Sequence, residues 1–435
     1  MHRIPLKNIS KIINSGLTPL RSNERFWLNG NIPWVKTEQL GKKYIYESNE
    51  KITKYALENT SIKLNPVNTL SIAMYGEGKT RGSVSILKNE TTTNQACCNI
   101  VIDKEKAEFE FVYYYLKTQY DNLRNLSSGV RKNLNSNDIK NFEVLLPSIQ
   151  TQKQIAKVLS DLDAKIEVNN KINQELEAMA KTLYDYWFVQ FDFPDANGKP
   201  YKSSGGNMVF NNELKREIPE GWKDGVLSDI ANITMGQSPS GSSYNEEGEG
   251  TVFYQGSTDF GSRFPTVRKY TTEPSRMAEE NDILLSVRAP VGTLNQAMES
   301  CCIGRGLAAL REKEGSISFL WSQMEYFKQI FDRRNSSGTT FGSITKDDLF
   351  NLKLCIANNE ILEKFKKIAD PFHAKIVVNS KENQKLTELR DWLLPMLMNG
   401  QVTAASLRGT KQSHDVNSDD ALGMVAEGKV KYGEV

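Results

Sequence analysis

The 435 residues carry 55 Lys+Arg against 53 Asp+Glu, a net charge of +2, so bulk charge neither favours nor excludes a polyanionic partner, and any basic surface must come from local segregation. Three His, and five Cys with no C-x-x-C among them, leave little material for a metal centre or a His-based acid–base site. No apolar run is long enough to span a bilayer and the start of the chain lacks a signal-peptide pattern, so a cytoplasmic protein is expected.

Residues 1–150 read as an α+β domain, with short β-branched runs separated by Gly, Asn and Pro. N-T-L-S-I-A-M-Y from Asn68 and G-S-V-S-I-L from Gly82 read as strands, and F-E-F-V-Y-Y-Y-L from Phe109 as a helix. Between the two strands, A-M-Y-G-E-G-K-T nearly matches a phosphate-binding loop. Such a loop needs a helix after its Lys-Thr, because the helix N-terminus helps bind phosphate. A strand pattern follows instead, so the stretch reads as a hairpin presenting Lys79, Thr80 and Arg81. A short helix near Ile139 should be capped by Ser136 or Asn137.

Residues 151–190 predict one long helix. Ile155, Leu159, Leu162, Ile166, Asn169, Asn173, Leu176, Ala180, Leu183 and Trp187 follow one another in alternate steps of four and three, with no Pro or Gly between. The seam is about 50 Å long, more than a compact domain needs. Polar Asn at two seam positions costs stability and fixes register. Asp161 and Asp163 read as solvated helix surface.

Residues 191–220 are rich in Pro, Gly and Ser and read as a connector rather than a packed element. Residues 221–357 then repeat the outline of the first domain. N-D-I-L-L-S-V-R from Asn281 parallels N-T-L-S-I-A-M-Y. The pairs Cys97-Cys98 and Cys301-Cys302 fall at similar places and are expected to be buried strand residues. Residues 358–403 repeat the long helix: A-K-I-V-V-N-S-K-E-N-Q-K-L from Ala374 matches A-K-I-E-V-N-N-K-I-N-Q-E-L from Ala164, both seam Asn included. The second seam runs through Phe372, Ile376, Asn379, Asn383, Leu386 and Arg390. Shared polar residues at seam positions make this a duplicated unit. Pro371 should kink or restart the helix, with Asp370 as cap. Residues 404–435 have the composition of a poorly ordered tail.

No nucleophile elbow, dinucleotide fingerprint or zinc spacing is present, and the sequence argues for a non-catalytic chain. What recurs is polar and basic residues in loops at similar places of the two halves. The first half has Lys36, Thr37 and Gln39, then Lys79 and Arg81, then Arg131 and Lys132. The second has Gln255 and Ser257, then Arg263, Arg288 and Arg305, then Arg334 and Thr340. These types read base edges and hold phosphates.

The order domain, long helix, domain, long helix resembles the specificity subunit of Type I restriction–modification systems. The carrying stretches are L-P-S-I-Q-T-Q-K-Q-I-A-K-V-L from Leu146, L-Y-D-Y-W-F-V-Q-F-D-F-P from Leu183, I-P-E-G-W ending at Trp222 and L-P-M-L-M-N-G-Q-V from Leu394. The resemblance implies two mixed α/β target recognition domains, each reading half of a split double-stranded DNA site. It implies two helices forming an antiparallel coiled coil with pseudo-two-fold symmetry, spacing the domains and docking two adenine-N6 methyltransferase subunits, with motor–nuclease subunits joining the full complex. S-adenosylmethionine, ATP and Mg²⁺ would belong to those partners and none to this chain. The competing reading is a coiled-coil scaffold whose domains bind proteins. If the helices pair about the Asn, Asn169 should face Asn383 and Asn173 should face Asn379, while Arg390, opposite Leu162, would extend its charge to solvent.

Overall fold

The computed structural model describes residues 2–76, 78–126, 133–314, 316–336, 343–404 and 406. Arg131, Lys132, Thr340 and nearly all of the C-terminal tail lie outside them, as does the side chain of Arg334. The chain packs as two compact units, Met1–Ala164 with Leu386–Val435, and Lys165–Lys385. Both boundaries fall inside the long helices.

In the first unit, β1 (Ser10–Ser15), β3 (Thr69–Ala73), β4 (Val84–Leu87) and β6 (Cys97–Ile102) pair antiparallel in the order β1-β6-β3-β4, with Tyr44–Ile45 added parallel beside β4, while β2 (Ile32–Val35) runs parallel to β5 (Thr92–Thr93). Every residue of β3 and β4 is buried, as suits a sheet covered on both faces. Leu70, Ile72 and Ile86 pack against Phe111 of α1 (Phe109–Thr118), and the same core takes in Ile155 and Leu159 of α2 (Ile149–Tyr184). The second unit repeats the plan. β7 (Ala231–Met235), β9 (Ile283–Ser286), β10 (Leu294–Gln296) and β12 (Leu307–Glu312) give the order β7-β12-β9-β10, and β8 (Thr251–Tyr254) runs parallel to β11 (Cys301–Ile303). Gly16 and Gly236 follow β1 and β7, and a Cβ at either would stand 2.2 Å from a backbone carbonyl oxygen, of Thr93 and of Gly304 respectively. Only glycine lets the strands close there.

Several expectations are corrected. The vicinal cysteines are not equivalent: Cys97-Cys98 lie on β6, matching Leu307 and Ala308 of β12, whereas Cys302 lies on β11, matching Thr92. All five are free and buried, and burial, opposed by the Lys140 charge, pushes the Cys98 thiol up to about 12. Residues 191–220 are not a loose connector. Phe191 and Phe193 are buried beside Trp222, with Phe193 stacked 4.6 Å from Tyr201 and 5.0 Å from Trp222, and Met208–Asn211 pairs with Arg216–Pro219. The short helix Ser136–Asn141 is capped by Asn135, whose Oδ1 accepts from the amides of Asn137 and Asp138.

The second long helix, α4 (Asn359–Asn399), passes through Pro371 without interruption. Asn358, just before its start, accepts from the Ile361 amide at 3.0 Å through its side chain. Asp370 caps nothing; its carboxylate accepts from Ser316 at 2.8 Å and from Ser318, at the start of α3 (Ile317–Ser336).

Arg390 does not simply extend to solvent: its side chain is 17 % exposed, and besides the exposed Asp391 at 2.7 Å it is paired inward. It holds Asp163 at 2.9 Å, and Asp163 in turn meets Lys43 at 3.2 Å and the Tyr114 hydroxyl. Burial would raise the Asp163 carboxyl, but the Tyr114 hydrogen bond and the Lys43 and Arg390 charges outweigh it and hold it below its ordinary range. Asp163 is thus the centre of a half-buried ion network rather than solvated surface. Sequence shows the acid but not the lysine more than a hundred residues upstream that meets it.

Candidate nucleic-acid interface

The Asn of the two helices meet inside the second unit. Asn169 Nδ2 donates to Asn383 Oδ1 at 3.0 Å and to Glu382 at 2.8 Å. Asn379 Nδ2 donates to Asn173 Oδ1 at 2.9 Å, and Asn173 Nδ2 to Ser380 at 3.2 Å. Asn383 Nδ2 reaches Asn170 at 2.9 Å. Asn169 and Asn379 are each 1 % exposed while Asn173 and Asn383 are half-buried, so these amides form a polar layer buried at its centre. Residue numbers rise on one helix as they fall on the other, so within this unit the two run in opposite directions. Ile376 is buried close by, whereas Leu176 and Phe372 are only half-buried; Ile155 and Leu159 belong to the core of the first unit.

The loop residues separate into three groups. Gln255, Ser257, Arg288 and Arg305 come together around one recess of about 450 Å³ in the second unit, together with Ser238, Thr258, Arg268 and Lys269, which sequence reasoning missed. Gln255 and Ser257 follow β8, Arg288 follows β9 and Arg305 follows β11. The Ser286 hydroxyl donates to the carbonyls of Arg288 and Pro290 at 2.7 and 2.6 Å and fixes the turn that carries Arg288. The Arg305 amide donates to Ser238 at 3.3 Å. Asp259 neutralises Arg268, bonded at 2.6 Å, while Arg288 and Arg305 are exposed and have no carboxylate in ion-pair range among the described residues. Two exposed guanidiniums without acid partners, beside an amide and hydroxyls, are the groups that engage base edges and phosphates.

Arg263 is the clear misplacement. It is 2 % exposed, with its guanidinium 3.5 Å from the Trp321 ring, Nε bonded to Gln296 at 3.0 Å, and a further nitrogen 2.7 and 2.8 Å from the two ring nitrogens of His373. Burial pushes Arg263 down to about 10, and burial plus the Arg263 charge pushes His373 down to about 2, so the imidazole is a neutral acceptor. Arg263 pins the loop between β8 and β9 to α4 and cannot meet a ligand at the surface.

In the first unit, Lys36 and the short turn Thr37–Gln39 follow β2, but Lys36 is held between Glu38 at 2.9 Å and Glu50 at 3.0 Å. Those carboxylates, Glu38 first, raise its pKa. Gln39 bonds Asn49 at 3.4 Å. Lys79 and Arg81 sit in the hairpin joining β3 to β4, and the Lys79 carbonyl accepts from Ser83 and Tyr120 at 2.8 and 2.7 Å. A strand, not a helix, follows this loop, so the phosphate-loop reading lacks its helix N-terminus.

A family model described as the Type I restriction modification DNA specificity domain matches residues 2–178 and again 219–388. The chain belongs to this family. The duplicated match coincides with the duplicated sheets, and the chain is a DNA-binding specificity subunit of the Type I restriction–modification class. The Type I restriction enzyme MjaIX specificity subunit of Methanocaldococcus jannaschii is 28 % identical over 431 residues, covering 92 % of this chain and 93 % of the relative. The HindI specificity subunit of Haemophilus influenzae is 24 % identical over 337 residues, 63 % of this chain and 72 % of the relative. Among solved structures, the Type I system S subunit of M. genitalium aligns with a TM-score of 0.60 at 18 % identity, over 91 % of this chain and 95 % of that one, and shares the fold. Among the described residues of this specificity subunit no helix is long and apolar enough to cross a membrane.

Proposed function

We propose that this specificity subunit reads a bipartite double-stranded DNA site, residues 1–150 reading one half and residues 221–357 the other. The observation that carries the reading is the second-unit recess, where Gln255, Arg288 and Arg305 converge from three separate strand ends. Its backbone frame recurs in the first unit. The two long helices pair as an antiparallel coiled coil, a reading supported by the amide layer of Asn169, Asn173, Asn379 and Asn383, and they dock two adenine-N6 methyltransferase subunits. Through these, motor–nuclease subunits join the complex. S-adenosylmethionine, ATP and Mg²⁺ are used by the partners, and this chain acts by recognition rather than catalysis.

The test is duplex binding by the full chain, alone and with its methyltransferase. Affinity should fall linearly on a log–log plot against salt, with a slope set by the phosphates contacted. The methyltransferase should co-purify. A protein-binding scaffold would co-purify with partners yet show no duplex affinity at any salt, and that outcome would remove the proposal.

A further inference from the structure

The two units share more than strand order; individual backbone hydrogen bonds correspond, and these align the recess residue by residue. After β2 and β8, the Asn94 amide donates to Val35 at 2.9 Å and the Gly304 amide to Tyr254 at 2.8 Å, so Lys36 corresponds to Gln255. The Met74 amide donates to Ala96 at 2.8 Å and the Val287 amide to Gly306 at 2.9 Å. The Met74 carbonyl accepts from Leu134 at 3.1 Å and the Val287 carbonyl from Ile344 at 2.8 Å. Asn68 and Asn281, seven residues before Tyr75 and Arg288, share the left-handed conformation at φ 67° and 72°. These matches make Tyr75 the counterpart of Arg288, and Gln95 the counterpart of Arg305.

The frame is common and the chemistry differs. Where the second unit shows two exposed guanidiniums, the first shows an exposed phenol, Tyr75, 41 % accessible, and an exposed amide, Gln95, whose Oε1 accepts from Thr18. A guanidinium fork matches O6 and N7 of guanine, whereas a Gln amide matches N6 and N7 of adenine. An aromatic or apolar group at that edge favours the thymine methyl. The Lys36 ammonium, at the position of Gln255, is neutralised by Glu38 and Glu50 and adds no free charge beside Tyr75 and Gln95.

Resting on the bipartite reading above, we infer that Arg288 and Arg305 are specificity-determining residues that select guanine in the half-site read by the second unit. The corresponding positions of the first unit, Tyr75 and Gln95, select A·T pairs. The two half-sites of one molecule thus differ in composition because two residues differ on a shared frame.

The experiment is selection of bound duplexes from a randomised library by the full chain, followed by R305Q, R305K, R288A and Q95R, each checked for native circular dichroism. Wild type should enrich a split motif with guanine in one half. R305Q should change one guanine position of that half to adenine preference, and R305K should keep overall affinity while relaxing that position by roughly 5- to 150-fold. R288A should relax a different position of the same half, and Q95R should introduce guanine in the other half. If R305K leaves the motif intact and R288A and R305Q weaken all sequences alike while lowering the salt slope, the arginines hold phosphates and the inference falls. A split motif without guanine in the half altered by R305Q also overturns it, leaving the bipartite reading standing. No enrichment of any motif by wild type overturns both.

Discussion

Replacing Asn169 by alanine tests whether the buried amide layer determines how the two long helices align. The change removes one neutral hydrogen bond, 3.0 Å to Asn383, and one to a carboxylate, 2.8 Å to Glu382. The neutral bond is worth about 0.5–1.5 kcal/mol and the charged one about 1.5–3 kcal/mol. The Glu382 side chain is 41 % exposed and regains water, so its bond counts at the low end, whereas Asn383 Oδ1 loses a buried donor. The expected cost is about 2–3 kcal/mol, which at a urea dependence of about 2–3 kcal/mol per molar moves the midpoint by roughly 1 M. In N169L/N383L both polar groups are gone and apolar contact replaces them, so the double variant should lie within about 1 kcal/mol of wild type and well short of the sum of N169A and N383A. Its helices would keep only the Asn173–Asn379 pair to penalise a one-turn slip. A cost for N169A below about 0.5 kcal/mol, or strict additivity of N169A and N383A, would refute this account.

Three further outcomes follow from buried titratable groups. R390L should cost about 1.5–3 kcal/mol, because Asp163, 13 % exposed, loses one charged hydrogen bond yet keeps Lys43 and Tyr114. The Asp163 carboxyl is held below its usual 3.8, so its stabilisation is complete above that pH and is lost as pH falls through the folded-state value; D163N should abolish that part of the acid sensitivity in unfolding scans. His373, ordinarily near 6.5 and pushed down to about 2, stays neutral in the folded state while the unfolded chain takes up a proton below 6.5. Stability therefore declines from pH 6.5 toward 2, H373Q should flatten that decline, and a histidine titrating near neutrality at this position by NMR would contradict it.

How much of this was readable from sequence depends on the range of the interaction. The duplication was readable because Asn169 and Asn379 interrupt the same apolar period at the same place, a pattern local to each helix. The partners of those amides were not: Glu382, Ser380 and Asn170 share the layer, and period alone does not show which flanking polar residues turn inward. Asp163 and Arg390 read as surface because their counter-charges come from Lys43 and from each other, far apart in sequence. Arg263 read as a loop cation because nothing local announces Trp321 and His373. Pro371 read as a kink or a restart, and the helix does not restart there, since tertiary packing along α4 outweighs one lost backbone hydrogen bond. Arg288 and Arg305 were visible as loop residues, but their counterparts Tyr75 and Gln95 emerged only once backbone hydrogen bonds aligned the halves. Basic character is what a single sequence shows; an equivalent position without charge is silent.

The most direct test of the central claim is the DNA motif methylated in cells carrying the gene with its methyltransferase, read before and after residues 1–150 are exchanged for those of another specificity subunit. The account predicts a split motif in which the exchange rewrites one half and leaves the other half and its methylated position as they were. Altered bases in both halves, or an unchanged motif, would contradict it.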